Sequence, residues 1–282
     1  MNLDWMECKM DFLFSIFNIL LLSFLEVFYL LGVLMAVGLV LGILEKYSNS
    51  YLVQAFGPRG ILVTAWIGTP IHEAGHLIQC FIWGHRVTKV KLLQLDSPNG
   101  VLGYVEHSYN RNSIYQQVGN FFIGMGPIFS GIGSLILIMY LLVPQSFTTF
   151  QDQIQQYITV ERLDLTVLKT IAGAVFVICK SLFTLVNLIN PQFWIFLLIA
   201  ISISSHIALS KADIKGSAKG LLMIFAMLVL FNLITGFLHL ESYQLIMKMA
   251  EYNAYVLAFS SISLLFSFIT LVLSFIFYKI RS

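Results

Sequence analysis

The feature that most constrains this chain is a series of apolar runs, each about long enough to cross a lipid bilayer. A helix of about 20 residues spans the roughly 30 Å hydrocarbon core, and we find six or seven runs of suitable length in the 282 residues. They lie near residues 12–44, 61–84, 118–143, 166–189, 192–210, 219–239 and 254–278. The first run is too long for one upright crossing, so we expect part of it to be interfacial or strongly tilted. The sequence therefore predicts an all-α polytopic membrane protein with about six transmembrane helices.

The scarcity of charge supports the same class of protein. Charged residues make up 11% of the chain and hydrophobic residues 58%, whereas about a quarter of the residues in ordinary soluble domains are charged. The formal net charge of +2 lacks the basic excess of nucleic-acid-binding proteins. We therefore expect the chain to be surrounded by lipid and to have no nucleic-acid partner. The three cysteines are too widely spaced to indicate a disulfide framework or a cysteine-based zinc module.

The distribution of basic residues predicts the orientation, because cytoplasmic loops near membrane spans are enriched in Lys and Arg. Two connections are basic, namely 85–117 with Arg86, Lys89, Lys91 and Arg111, and 211–219 with Lys211, Lys215 and Lys219. If both face the cytoplasm, the chain between them crosses the membrane an even number of times. Because 118–143 is one crossing, residues 166–210 must supply an odd number of further crossings. Asn190-Pro191 divides that stretch, so we expect the piece 166–189 to be a partial or re-entrant helix. Asp4, Glu7 and Asp11 before the first run are unlike the basic start of a cleaved signal peptide, so we expect the whole chain to be retained.

The segment His72-Glu73-Ala74-Gly75-His76 has the His-Glu-x-x-His pattern. On a helix the two histidines share one face and can bind one Zn²⁺, while Glu73 can act as general base on a water molecule. Zinc would lower the pKa of that water and polarise a peptide carbonyl. Residues 64–83 are otherwise almost wholly apolar, and such polar side chains are costly inside a membrane unless they serve a function.

A catalytic zinc ion needs a third protein ligand and one open position. Residues His206, Ser210 and Asp213 follow one another at helical spacing, and we expect them to form one polar stripe on a helix. Depth in the membrane favours His206 as the ligand, since about 7 Å separates it from Lys211 along a helix. Charge favours Asp213 as the ligand, because a carboxylate partly neutralises the metal ion. Alternatively, the carboxylate could orient a histidine ligand without binding the metal itself. Both candidates remain open at this stage.

A β-hairpin is predicted after the helix that carries the histidines. Residues 87–95 and 101–109 are rich in β-branched and aromatic side chains and flank Asp96-Ser97-Pro98-Asn99-Gly100, a strong turn signal. A hairpin edge near the metal could pair with an extended peptide substrate, whereas the simpler interpretation is a hairpin that only covers the helices. His107 on this hairpin is a candidate contact to substrate or to a developing oxyanion. Asn120 on the next span is another candidate donor, although an interhelical hydrogen bond is its commoner role.

These motifs resemble those of the site-2 protease family of intramembrane zinc proteases. The resemblance covers residues 61 to about 216, and its strongest element is His72-Glu73-Ala74-Gly75-His76 within an apolar span. Gly124-Met125-Gly126-Pro127 looks like the Gly-Pro motif of the family's next span. The family's third zinc ligand is an aspartate in an Asn-Pro…Asp-Gly context, for which Asn190-Pro191 and Asp213 are the nearest matches, with Ile214 and Lys215 before Gly216. The resemblance implies an active site that opens to the cytoplasm, in agreement with the basic loops.

The sequence thus predicts one membrane domain over 1–282, with an N-terminal helix and loop at 1–60, a catalytic core at 61–216 and a C-terminal helical hairpin at 217–282. We expect a zinc-dependent endopeptidase that hydrolyses membrane-embedded or membrane-proximal peptide segments of protein substrates. The short loops suit a prokaryotic plasma membrane. Two alternatives are a transporter or channel with a metal or proton path lined by histidines and acids, and a non-catalytic regulator derived from a protease; the intact Glu73 argues against the latter.

Overall fold

The computed structural model describes residues 3–95, 100–157, 165–238, 240, 242–249 and 252–281. These residues are mostly helical, with one small antiparallel sheet. The helices are α1 (Leu3–Phe56), α2 (Arg59–Ile82), α3 (Ile114–Gly124), α4 (Gly126–Leu142), α5 (Pro144–Tyr157), α6 (Leu165–Leu182), α7 (Leu185–Ile189), α8 (Pro191–Ser204), α9 (Lys211–Phe237), α10 (Ser242–Met249) and α11 (Tyr252–Arg281). The strands are β1 (Arg86–Lys91) and β2 (Tyr104–Ser108).

Three helical stretches are long and apolar enough to cross a membrane, which marks the chain as a membrane protein. They are Phe14–Phe56, Lys211–Phe237 and Tyr243–Arg281. Helices α3 and α4 pass the same test only together, and they meet at a bend of 54°. Helix α8 is apolar but has only 14 residues. The larger number of about six spans therefore stays a prediction.

Helix α1 is continuous over 54 residues, or about 81 Å at 1.5 Å per residue. That length is far more than one upright crossing needs. Its closest companion is α11, whose buried residues are mainly small hydroxyl residues, including Ser260, Ser263, Thr270 and Ser274. Small residues let membrane helices approach closely. Side-chain to main-chain bonds add to the contact, with Arg281 donating to the carbonyl of Ala55 at 3.0 Å.

The chain between α6 and α9 is broken rather than continuous. Thr184 caps α7, and Asn190 caps α8 at the predicted Asn190-Pro191 break. Helix α8 ends at Ser204, and residues 205–210 are not helical before α9 begins at Lys211. The prediction that His206, Ser210 and Asp213 form a stripe on one helix is therefore wrong. The physical reason is that Ser210 starts a new helix as its N-cap residue.

The predicted hairpin is present, with shorter strands than expected. β1 and β2 pair antiparallel from Arg86 opposite Ser108 to Lys91 opposite Tyr104, with an irregularity between Val87 and Lys89. Residues 96–99 of the predicted turn lie outside the described residues. The sheet follows directly on α2, because Gly84 takes a positive φ of 65° that turns the chain away from the helix. The hairpin is thereby held against the segment that carries the two histidines.

Candidate metal centre

The two histidines of the motif lie on the same face of α2, one turn apart. Their Nε2 atoms are 3.2 Å from each other. Helix α2 packs against α4 at two glycines, and a Cβ added to Gly75 would lie 2.5 Å from the carbonyl oxygen of Gly126. The two backbones therefore touch. Ser130 of α4 also donates to the carbonyl of Ile71 at 2.8 Å. These contacts hold the histidine face of α2 beside the bend between α3 and α4.

Main-chain carbonyls fix both imidazole rings. His72 Nδ1 lies 2.7 Å from the carbonyl oxygen of His206, and His76 Nδ1 lies 2.7 Å from that of Ile123. Because a carbonyl oxygen can only accept, each Nδ1 must carry the proton in the neutral ring. Both Nε2 atoms then carry a free lone pair, and these lone pairs face the same point. A histidine with its second nitrogen held in this way is typical of metal ligands.

The sequence explains why these two carbonyls are free to accept. In a continuous helix the carbonyl of Ile123 would accept from the N–H of residue 127, but Pro127 has no N–H. The carbonyl of His206 lies in the non-helical segment, where the N–H of Ser210 donates instead to Asp213 Oδ2 at 2.7 Å. The Gly126-Pro127 pair therefore has a direct role, since the proline leaves an acceptor for His76 at the end of α3.

Asp213 completes the group of candidate ligands. Its Oδ1 lies 3.1 Å from His76 Nε2 and its Oδ2 lies 3.6 Å from His72 Nε2. The residue is the third of α9 and forms a reciprocal capping box with Ser210, whose hydroxyl accepts from the N–H of Asp213 at 3.2 Å. Helix α9 lies close to α3 because Gly124 leaves room, and a Cβ there would lie 2.6 Å from the carbonyl oxygen of Asp213.

The three side chains fit a small cation. The ligand atoms of His72, His76 and Asp213 all lie within 4.8 Å of one another. Tetrahedral bonds of 2.0–2.1 Å would place such atoms about 3.3 Å apart, close to the separations of 3.1, 3.2 and 3.6 Å described above. Two lone pairs and a carboxylate facing one another are unfavourable without a positive charge between them. Two imidazoles and one carboxylate are also a donor set found in catalytic zinc sites.

His206 contributes in a different way from the one predicted. Its ring is buried, and its Nε2 lies 3.0 Å from the hydroxyl of Thr64 on α2. Only its main-chain carbonyl contacts a candidate ligand, His72. The structure thus brings Asp213, and not the His206 ring, to the two histidines. Of the two candidates for third ligand, Asp213 has the supporting geometry.

The segment that presents His206 depends on Glu45, which sequence reasoning missed. One carboxylate oxygen of Glu45 on α1 accepts the N–H of Ala208 at 3.1 Å. Ala208 is buried, and a buried main-chain N–H outside a regular helix needs such an acceptor. The only sequence signal was an acidic residue at the point where the apolar run of α1 is followed by polar residues such as Lys46 and Ser48.

Glu73 is buried and faces the hairpin. A Cβ added to Gly103, just before β2, would lie 2.7 Å from Glu73 Cγ and 3.0 Å from its Oε1. A side chain at residue 103 would therefore displace the carboxylate. No hydrogen bond joins the Glu73 carboxylate to another of the described residues, so it is available to receive a proton. Gly103 was not singled out from the sequence, because glycines are common in turn regions.

The two remaining candidates do not contact the group of three. The Asn120 amide donates to carbonyls of its own helix, those of Gln116 and Gln117, at 3.4 and 3.2 Å. His107 Nδ1 lies 2.9 Å from the Nδ1 of His85, a residue that sequence reasoning also missed. His85 Nε2 in turn lies 2.8 Å from the carbonyl oxygen of Gln116. Roles of Asn120 and His107 in substrate binding stay predictions.

Burial governs the charge of the second histidine pair. It lowers the pKa of His107 to about 4, with smaller contributions from His85 and His76 in the same direction. It also lowers the pKa of His85, against the opposing effect of the bond to Gln116. Both rings are therefore neutral at neutral pH.

Comparison with protein-family models, with curated proteins and with solved structures finds no match to this chain.

Proposed function

We propose that this protein is a zinc-dependent intramembrane endopeptidase, with His72, His76 and Asp213 as the metal ligands and Glu73 as the general base. The observation that carries the proposal is that the Nε2 lone pairs of His72 and His76 converge with the carboxylate of Asp213. Beside them lies the buried carboxylate of Glu73, which has no hydrogen-bond partner among the described residues. The resemblance to site-2 proteases implies the same chemistry. Asp213 is preferred over His206 because its carboxylate lies within 3.6 Å of both histidine nitrogens.

Each residue has a defined task in peptide hydrolysis. A zinc ion bound there would polarise the scissile carbonyl and make water a stronger acid. Glu73 takes one proton from the attacking water and then delivers it to the departing amine nitrogen, so that the C–O bond forms, the C–N bond breaks and the carboxylate is regenerated. The carbonyls of Ile123 and His206 keep the two imidazoles in one tautomer throughout. Asp213 supplies negative charge to the ligand set without serving as the base.

An apolar groove beside Asp213 supports a substrate that lies in the membrane. It has a volume of about 510 Å³ and lies between α1 and α9. Its lining includes Gly38 and Gly42 of α1 and Ile214 of α9, the residue after Asp213. A second support is the hairpin, whose strands pair only with each other among the described residues and could pair with an unwound peptide. We propose, from the basic connections, that this site faces the cytoplasm of a prokaryotic cell.

The test compares metal binding with peptide cleavage in one pair of proteins. Wild type and Glu73→Gln are reconstituted with zinc in proteoliposomes and incubated with a library of synthetic transmembrane peptides in ¹⁸O-labelled water. We expect wild type to release products that carry ¹⁸O in the new carboxylate. We expect Glu73→Gln to keep one zinc per chain and to lose cleavage, because the amide cannot take a proton. Cleavage retained by Glu73→Gln, or no cleavage by zinc-loaded wild type, would refute the proposal.

One observation favours a second candidate, a transporter with a proton or metal path. Glu26 is fully buried in α1, where its Oε2 accepts from Asn232 of α9 at 2.6 Å and its Oε1 has no partner. Glu45 lies 19 positions further along α1, about 28 Å away along a helix. Acidic side chains thus occur at two depths, as a path would require. Zinc uptake into proteoliposomes that is undiminished in Glu73→Gln would favour this candidate.

A further inference from the structure

The pair formed by His85 and His107 has only one consistent arrangement of protons. The Gln116 carbonyl can only accept, so the proton of neutral His85 lies on Nε2, 2.8 Å from that oxygen. Its Nδ1 is then an acceptor. The contact of 2.9 Å between the two Nδ1 atoms therefore requires the proton of His107 to lie on its own Nδ1. His107 Nε2 is left with a free lone pair and no proton.

This free nitrogen lies on the face of the hairpin that covers α2. Side chains alternate along a strand, so residues 103, 105 and 107 share one face. The Cβ direction of Gly103 points at Glu73. Glu106 lies on the opposite face, where it is exposed and forms an ion pair with Lys89 at 3.4 Å. His107 is therefore on the same side as the general base, about 13 Å from Gly103 along the strand.

We propose that His107 Nε2 accepts a main-chain N–H of an extended peptide substrate, about four residues from the scissile bond, and that His85 is the positioning residue that fixes this role. The inference rests on the proposed function. The register follows from the strand geometry, because an extended peptide alongside β2 advances about 3.3 Å per residue between Gly103 and His107. In this tautomer Nε2 carries no proton, so the proposed role of His107 is that of an acceptor rather than a donor to an oxyanion.

The full burial of His85 and the partial burial of His107 support a fixed acceptor. Because the pKa of His107 is lowered to about 4, its Nε2 stays unprotonated throughout the neutral range. An N–H acceptor selects for the main chain rather than for a particular side chain. The proposed contact therefore names a substrate class, namely peptide that is unwound into an extended strand on at least one side of the scissile bond.

The test scans the substrate backbone by single N-methylation, which removes one N–H at a time. The probe is a fluorescently labelled peptide of about 12 alternating threonine and valine residues, bound to zinc-loaded Glu73→Gln protein so that no turnover is needed. With the histidine pair intact, methylation at the position that meets His107 should weaken binding about tenfold, the value of one hydrogen bond. In a protein that also carries His107→Ala, the unmethylated peptide should bind about tenfold more weakly, and methylation at that position should have no further effect.

Two more variants separate a substrate contact from a structural role. His107→Gln retains an acceptor oxygen and should restore most of the binding, whereas His85→Phe keeps an aromatic ring without fixing the tautomer and should weaken it. Zinc stoichiometry is measured in every variant, because a loss of zinc would report misfolding of the site. The inference is overturned if the methylation profile is the same with His107 and with alanine, or if His107→Gln behaves as His107→Ala. Absence of cleavage by wild type would refute the protease proposal, and this binding scan would still report on His107.

Discussion

Asp213→Asn is the substitution that most directly tests the metal centre. It removes the negative charge but leaves an amide oxygen that can still accept the N–H of Ser210. In the wild-type protein this nitrogen lies 2.7 Å from Asp213 Oδ2. The start of α9 should therefore be preserved. What is lost is the carboxylate that lies 3.1 Å from His76 Nε2 and 3.6 Å from His72 Nε2.

The expected loss of zinc affinity can be bounded from the contacts. Removal of a side chain that only orients a ligand typically lowers metal affinity 10- to 100-fold. Loss of a charged ligand should exceed that range, so we expect at least about 100-fold weaker binding, or about 2.7 kcal/mol. His206→Ala should lower affinity by less than about tenfold, since the bond to His72 comes from the main-chain carbonyl.

The assay is competition for zinc with a chromogenic chelator in detergent, together with metal analysis of the purified protein. Ser210→Ala is the matched control, because it removes the hydroxyl that caps α9 but keeps both the main-chain N–H and Asp213. It should lower stability by about 0.5–2 kcal/mol and leave zinc affinity nearly unchanged. Wild-type affinity in Asp213→Asn, with loss of zinc in His206→Ala, would show that the assignment of the third ligand is wrong.

Two further predictions concern packing and pH. Gly126→Ala should lower both the thermal midpoint and the zinc affinity, because its Cβ would lie 2.7 Å from the backbone of Gly75 and overpacking of this kind costs about 1–3 kcal/mol. Gly133→Ala on the same helix is the control and should change neither quantity, because a Cβ there meets nothing within 4 Å. Equal effects of the two substitutions would contradict the role of the contact between Gly126 and Gly75. The free energy of unfolding should fall as pH drops from about 6.5 towards 4, because of His107. Its pKa is about 4 in the folded protein and about 6.5 in the unfolded chain, so in this range the unfolded chain binds a proton that the folded protein does not. Thermal unfolding of metal-free protein at several pH values should show a weaker pH dependence in His107→Gln, and identical dependence in both proteins would contradict the burial argument.

Local patterns were sufficient for several parts of this structure. The spacing of His72 and His76 depends only on helical periodicity, and the structure places both on one face of α2. The hairpin signal around residues 96–100 likewise led to the pairing of β1 with β2. Pro127 could in principle have predicted the free carbonyl of Ile123, because a missing N–H is a property of the residue itself.

The choice between His206 and Asp213 could not be made in the same way. It depends on where α8 ends, and the apolar run 192–209, with Ser202, Ser204 and Ser205 before His206, is compatible with a longer helix. The structure ends α8 at Ser204 and turns the His206 ring towards Thr64. Asp213 is then carried to the histidines by a separate helix that packs on α3 through Gly124.

The sequence alone determined that this is a helical membrane protein with a His-Glu-x-x-His face and a hairpin beside it, because these features follow from hydropathy and short-range periodicity. Only the tertiary structure decided whether His206 or Asp213 lies beside the two histidines. An unwound segment inside an apolar protein needs partners for its main-chain N–H groups, and Ala208 finds one in Glu45, 163 positions away. Such a partnership has no local signature, so the third candidate ligand emerged from packing rather than from the order of residues.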